Sequence, residues 1–131
     1  MTARLTRLLA SALLLAGGII HYELWNSGYR NVPKIGPLFL ANFGGSVVLA
    51  AAVLLSRRAT VAVGGILFAA GSLTALVLSR TVGVFGFTET VWTTQAIRTL
   101  ATEVGAIAAL GCALTMQHRQ RQPLLHTIRA H

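Results

Sequence analysis

Residues 35–79 read IGPLFLANFGGSVVLAAAVLLSRRATVAVGGILFAAGSLTALVLS, and the only charges in that stretch are Arg57 and Arg58. The two arms, about 35–56 and 59–79, show no period-two alternation. Each is long enough to cross a hydrocarbon core of about 30 Å as a helix rising 1.5 Å per residue. In lipid every backbone N–H and C=O needs an internal partner, so unalternating runs of this length read as α-helices. A connection of little more than two arginines allows only an antiparallel hairpin. Pro37 fits the first turn of the first arm, where its missing N–H is not needed.

Two further apolar runs flank the hairpin, one over about 5–21 behind Arg4 and Arg7, the other over about 96–116. The predicted fold is therefore all-α: a membrane-spanning four-helix bundle over residues 1–117. It has one short turn at 57–58, two longer loops (Tyr22–Lys34 and Arg80–Gln95), and a basic tail over 118–131. Composition agrees: 54% of the 131 residues are hydrophobic and 11% charged, against about a quarter charged in soluble domains. The same numbers exclude a disordered chain. The first run also fits a secretory signal, with Arg4 and Arg7 as its n-region and Ala16-Gly17-Gly18 as a cleavage-like site. The fourth helix has an alternative early start, with Thr88 as N-cap and Glu89 in its first turn.

The net charge is +8, yet the positive residues flank apolar runs instead of forming one patch, so nucleic acid is not an expected partner. With both termini on one side, that side carries Arg4, Arg7, Arg57, Arg58, Arg119, Arg121 and Arg129. The other carries Arg30, Lys34, Arg80 and Arg98. The positive-inside rule then places the termini and the 57–58 turn in the cytoplasm and both long loops outside, in a multi-pass protein of the cell membrane. In the tail, Pro123 is suited to open a short helix with Leu124, Leu125 and Ile128 on one face, able to lie on an anionic leaflet; a solvated tail is the alternative.

Eight of the nine aromatic residues fall in or beside the long loops, and only Phe68 does not. Tyr22, Trp25 and Tyr29 recur at helical spacing. With Phe85, Phe87 and Trp92 they read either as an interfacial belt or as a docking surface for a partner.

Reactive groups are few. No phosphate-binding loop, nucleophile elbow, metalloprotease helix or paired-cysteine motif occurs, and aspartate is absent. No catalytic residue, metal site or cofactor is expected. Glu103, inside the fourth run, is the foremost ligand- or proton-binding candidate, because an ionisable residue in a span is costly unless paired or hydrated. Its alternative is a structural hydrogen bond, with Thr99 at i−4 on its face and Arg98 and Arg80 near the surface. Asn42, at similar depth in the second run, is a cross-helix hydrogen-bond former able to complete a polar pocket with Glu103. His21 and Glu23 close the first run; two residues apart on a helix, they point in different directions and make a weak metal pair. Glu23, Glu89, Arg80 and Arg98 suit an ion-pair network pinning the loops. Ala101, Gly105 and Ala109, with Ala41-x-x-x-Gly45 and Gly65-x-x-x-Ala69, supply smooth ridges for a bundle core or an oligomer seam. Cys112 reads as a small packing residue.

The segments His21-Tyr22-Glu23-Leu24-Trp25, Gly28-Tyr29-Arg30, Ile35-Gly36-Pro37-Leu38-Phe39-Leu40-Ala41-Asn42 and Ser79-Arg80-Thr81-Val82-Gly83-Val84-Phe85-Gly86-Phe87-Thr88-Glu89 together resemble a group of small four-helix integral membrane proteins of actinobacterial type. The resemblance implies location and architecture and carries no activity. Histidine often precedes the last glutamate in that group; Thr88 stands there in this chain, so no histidine pair with His21 is implied. The expected role is an accessory or structural subunit bound to a larger membrane assembly, through a membrane-protein partner or self-association. The alternative is an oligomeric transporter of protons or small solutes using Glu103. Enzymatic activity is not the leading expectation.

Overall fold

A computed structural model describes the backbone of residues 2–129 and the side chains of residues 2–120. It has four α-helices: α1 Ala3–Asn26, α2 Ile35–Leu55, α3 Ala59–Thr81 and α4 Thr94–Arg129, with a 3-10 turn over Tyr29–Asn31 between α1 and α2. All four are long and apolar enough to cross a membrane, the apolar part of α4 being Thr94–Gln120. The expected all-α, four-helix membrane bundle is therefore the observed fold. No strand occurs among the described residues; Val84 and Phe87 alone form an isolated antiparallel bridge.

α1 is the central helix. It packs along α2 on one side and α4 on the other, while α3 packs along α4 and only loosely against α2. Small residues set these approaches. A Cβ built on Gly18 would lie 2.6 Å from Ser46 Cβ, so α1 and α2 meet almost backbone to backbone. Gly65 is covered by Leu110 of α4, and Gly45 by the Phe68 ring, a tight point between α2 and α3. Without hydrophobic drive inside lipid, such contacts are the main source of helix association.

The half of the bundle nearer the 57–58 turn is dense. Ala10, Leu14, Ala50, Ala69, Ala106 and Leu110 form its buried core. The Arg7 guanidinium donates to the carbonyls of Val53 (2.7 and 3.0 Å), Leu54 (2.7 Å) and Ser56 (3.1 Å), satisfying the exposed C-terminus of α2. Ser11 Oγ donates to the Ala50 carbonyl at 2.8 Å.

Several sequence expectations change here. α1 continues past His21 to Asn26, so His21 lies more than one turn inside its helix and is 6% exposed. Tyr29 lies beyond the end of α1 and does not share its face with Tyr22 and Trp25. The early start of α4 does not occur: the Glu89 N–H donates to the Ser79 carbonyl at 2.9 Å, holding that segment against the end of α3. Thr93 takes the capping role instead, its Oγ1 accepting from Ala96 N at 3.2 Å. Cys112 is exposed, not packed. The tail face proposed for Leu124, Leu125 and Ile128 lies outside the described side chains.

The loop between α3 and α4 turns on backbone geometry that its glycines permit. Phe85 (φ 50°) and Gly86 (φ 80°) occupy the centre of the tight turn that joins the Val84 and Phe87 bridge, the pattern of a type I′ turn. Gly83, at φ 88°, has Thr88 Oγ1 only 2.5 Å from where a Cβ would sit, so neither its conformation nor its space admits a side chain.

Candidate functional site

In the loop-end half α2 and α3 part, leaving a cavity of about 450 Å³, within the range of about 300–1,000 Å³ usual for small-molecule sites. Leu38 and Phe39 of α2 wall it on one side, Leu67, Phe68 and Leu76 of α3 on the other, and Ala96 and Thr99 of α4 behind. Ala41, Gly71 and Ala75 sit at its edge and are exposed. The absence of bulk at these positions keeps the seam open.

Its base is polar, and every helix contributes. His21 Nδ1 bonds to the Gly17 carbonyl at 2.8 Å; a carbonyl only accepts, so Nδ1 carries the proton and Nε2 faces Ser72 Oγ, at 3.4 Å, as an acceptor. Asn42 Nδ2 donates to Ser72 Oγ at 3.0 Å, and Ser46 Oγ donates to Asn42 Oδ1 at 3.3 Å. The Glu103 carboxyl faces Ser72 from α4, and Glu103 is 4% exposed. Ser72 has one proton and two acceptors to serve. Thr99, one turn from Glu103, is 3% exposed, and its Oγ1 has no hydrogen-bond partner among the described residues.

The roof lies about 12 Å away, eight residues along α3 at 1.5 Å each. Arg80 Nη1 pairs with Glu89 Oε2 at 3.2 Å and donates to the carbonyls of Glu89 (2.7 Å) and Val91 (2.6 Å). The Tyr29 hydroxyl donates to Glu89 Oε2 at 2.8 Å. The Tyr29 ring also meets Phe39 and Phe87, with centroids 5.2 and 5.7 Å away. Arg80 Nε is buried and has no partner among the described residues.

The sequence candidates thus divide. His21, Asn42 and Glu103 converge on Ser72, and Arg80, Glu89 and Tyr29 form the roof with Phe87. Glu23 stands apart: its only ion pair, with Arg98 at 3.9 Å, is exposed and contributes little. The four charged residues therefore form two separate pairs and no single network. Of the other aromatics, Tyr22 stacks on Trp25 (5.8 Å) and packs on Phe43 (5.1 Å) at the side of the bundle. Phe85 is 63% and Trp92 49% exposed. Their cationic neighbours are the Lys34 ammonium, 5.3 Å from the Phe85 centroid, and the Arg80 guanidinium, 5.8 Å from that of Trp92. No group of three His, Cys, Asp or Glu that could hold a metal ion occurs among the described residues.

Ser72 and Ser46 were not singled out by sequence; Thr99 was, as a hydrogen-bond partner for Glu103, but its Oγ1 has no partner among the described residues. A serine or threonine in a span is unremarkable, because its hydroxyl can bond back to its own helix. The readable signal was indirect: Asn42 and Glu103 at matching depth require a partner on an intervening helix.

The roof carries a pH prediction. Burial, reinforced by the hydrogen bond and negative charge of Glu89 and opposed by Arg80, pushes the Tyr29 phenol up to about 12. Because its neutral form is favoured in the folded state, the roof's contribution to stability is intact below the ordinary tyrosine value of about 10 and is lost as pH rises through about 12. The chain has two tyrosines. The phenolate absorbance step missing from Tyr29→Phe is expected near pH 12, and Glu89→Gln is expected to bring that step down. A missing step at pH 10 or below would show that the Tyr29–Glu89 bond does not persist.

No protein-family model matches the chain, and no curated protein or solved structure matches it.

Proposed function

We propose that this multi-pass membrane protein binds one small molecule in the cavity between α2 and α3. The carrying observation is a cavity whose base is assembled from polar side chains of all four helices and includes the unpartnered Thr99 hydroxyl. Buried polar atoms are nearly always satisfied, and bundle interiors with a few convergent polar groups are where ligands are held. His21, Asn42, Ser72 and Thr99 are the proposed ligand-facing group, with Glu103 behind Ser72 and with Arg80, Glu89 and Tyr29 closing over them. The charge distribution supports a position with the roof at the outer face of the cell membrane and the termini in the cytoplasm. Kinship with the actinobacterial proteins named above rests on the quoted segments.

Transport, the alternative reading, would need an oligomer that uses Glu103. Beneath the polar base lies the packed core of Leu14, Ala69, Ala106 and Leu110, which a path through one copy would have to cross. A role as accessory subunit has its own support: Val82 (79% exposed), Phe85 (63%) and Val91 (66%) present an apolar tip beyond the bundle, where a partner would bury it. Ligand binding and docking are compatible, since they use different residues of the same loop.

Gly71 provides the test. It lines the cavity, and a Cβ there would meet nothing within 4 Å among the described residues. Gly71→Leu should fill the cavity and leave the fold intact, with a gain in helix propensity of about 0.8 kcal/mol. Native mass spectrometry of protein released from its own membranes is expected to show a one-to-one small-molecule adduct on the wild type and none on Gly71→Leu. Identical spectra for a folded variant and the wild type would remove the proposal.

A further inference from the structure

We propose that the cavity takes the uncharged, oxygen-bearing head of a single-chain membrane amphiphile, an alcohol or ester in chemical class, whose chain leaves between α2 and α3 into lipid. This inference rests on the binding reading above and adds the ligand's head, its tail and its route of entry.

The head follows from the unused hydrogen-bonding groups. Thr99 Oγ1 at the base and Arg80 Nε at the roof are both buried and without a partner among the described residues, and both residues line the cavity. Arg80 Nε can only donate, and a threonine hydroxyl can donate or accept. An oxygen acceptor, with or without a hydroxyl proton, satisfies either. The charges select against an ionised head. The Arg80 cation is already paired with Glu89 at 3.2 Å, so a carboxylate or phosphate would find no free positive charge. An ammonium head would meet a roof whose carboxylate is already held by Arg80 and the Tyr29 hydroxyl. Desolvating a head of either sign without a free counter-charge is far more costly than burying a hydroxyl that finds a partner.

The tail and the route follow from where the cavity is open. Towards the loops it is roofed by Tyr29, Phe87 and the Arg80–Glu89 pair. Towards the side it is bordered by Leu38 (47% exposed) and Leu67 (67% exposed), with Gly71 and Ala75 between them in the wall. That opening lies within the apolar spans of α2 and α3, so it faces acyl chains and not water. Below it the Phe68 ring seated on Gly45 closes the seam, which sets the depth a head can reach. A cavity of about 450 Å³ sits towards the low end of small-ligand sites of about 300–1,000 Å³. That size suits one head with the start of one chain, not a two-tailed phospholipid.

The test uses the full-length protein in lipid nanodiscs with a hexadecanol probe bearing a photoreactive diazirine midway along its chain. Competitors are 1-hexadecanol, palmitate, hexadecylamine and 1-butanol. Labelling is expected on the α2 and α3 segments bordering the seam, and 1-hexadecanol should compete at least about tenfold better than the other three. Thr99→Val, close in shape, should weaken that competition by about five- to tenfold, the worth of one hydrogen bond. Gly71→Leu should abolish labelling with its thermal transition unchanged or raised. If palmitate or hexadecylamine competes better, and Gly71→Leu still abolishes labelling, the uncharged head is wrong while the binding site stands. If butanol matches hexadecanol, the tail and the lateral route are wrong. Labelling that is equal in wild type and Gly71→Leu, or absent from both, overturns this inference together with the binding reading.

Discussion

Gly18→Leu is expected to destroy the bundle, whereas Gly44→Leu, two turns into the neighbouring helix, is expected to leave it intact. At Gly18 the backbone of α1 lies against Ser46, with a Cβ position 2.6 Å from Ser46 Cβ and 3.4 Å from the Phe43 carbonyl. Neither of those atoms is the end of a flexible chain, so a leucine must push α1 and α2 apart. Overpacking a fitted core costs typically about 1–3 kcal/mol where side chains can adjust, and here the obstacle is next to backbone. Separation of α1 from α2 would also part Asn42 and Ser46 on α2 from His21 on α1 and disperse the polar base. At Gly44 a Cβ meets nothing within 4 Å among the described residues, and leucine gains about 0.8 kcal/mol of helix propensity. The measurement is size-exclusion chromatography and thermal unfolding of both variants in one detergent. Gly18→Leu should aggregate or lose about 7 °C or more in transition temperature, the shift expected when ~2 kcal/mol is removed from a domain of this size. Equal behaviour of the two variants would mean that the α1–α2 approach is not as close as described.

The pair of glycines shows what could and could not be read from the sequence. Both belong to Gly-Gly doublets in apolar runs, and nothing local separates the one packed against a neighbour from the one facing lipid. Helix boundaries were legible wherever apolar runs ended at charge, as at Arg57-Arg58, because a charged side chain inside a span is costly. They were misread where tertiary hydrogen bonds compete with helix signals. Thr88 and Glu89 form a respectable N-terminal box, but Glu89 is drawn back onto Ser79, Arg80 and Tyr29, and the helix waits until Thr94. Likewise α1 runs past His21 because its last turn is apolar enough, with Leu24 and Trp25, to remain at the interface.

The candidate site was half legible. Glu103, Asn42 and His21 stood out because polar groups are rare in spans, and they do meet. Their meeting point, Ser72, was silent, as was the cavity itself. A void has no sequence signature: it arises because Ala41, Gly71 and Ala75 are too small to close the gap that Leu38, Phe39, Leu67 and Phe68 surround. The aromatic asymmetry was visible and ambiguous, and the ambiguity has a structural reason. Tyr29, Phe39 and Phe87 turn inwards over the cavity, while Phe85 and Trp92 turn outwards, so a single cluster in sequence serves two surfaces.

The most direct measurement of the open α2–α3 seam is thiol reactivity, in a Cys112→Ser background that leaves no other cysteine. Single cysteines at Ala41 and Ala75 test the seam, and cysteines at Ala50 (5% exposed) and Ala69 (0% exposed) test the packed half. The probe is an apolar maleimide that partitions into the bilayer. A thiol at Ala50 or Ala69 reacts only through local opening, and an opening free energy of about 3 kcal/mol slows it by about a hundredfold relative to an accessible one. The account predicts fast reaction at Ala41 and Ala75, slow reaction at Ala50 and Ala69, and a marked slowing at Ala75 alone when Gly71→Leu is added to fill the cavity. Uniform rates at all four positions, or an Ala75 rate indifferent to Gly71→Leu, would contradict it.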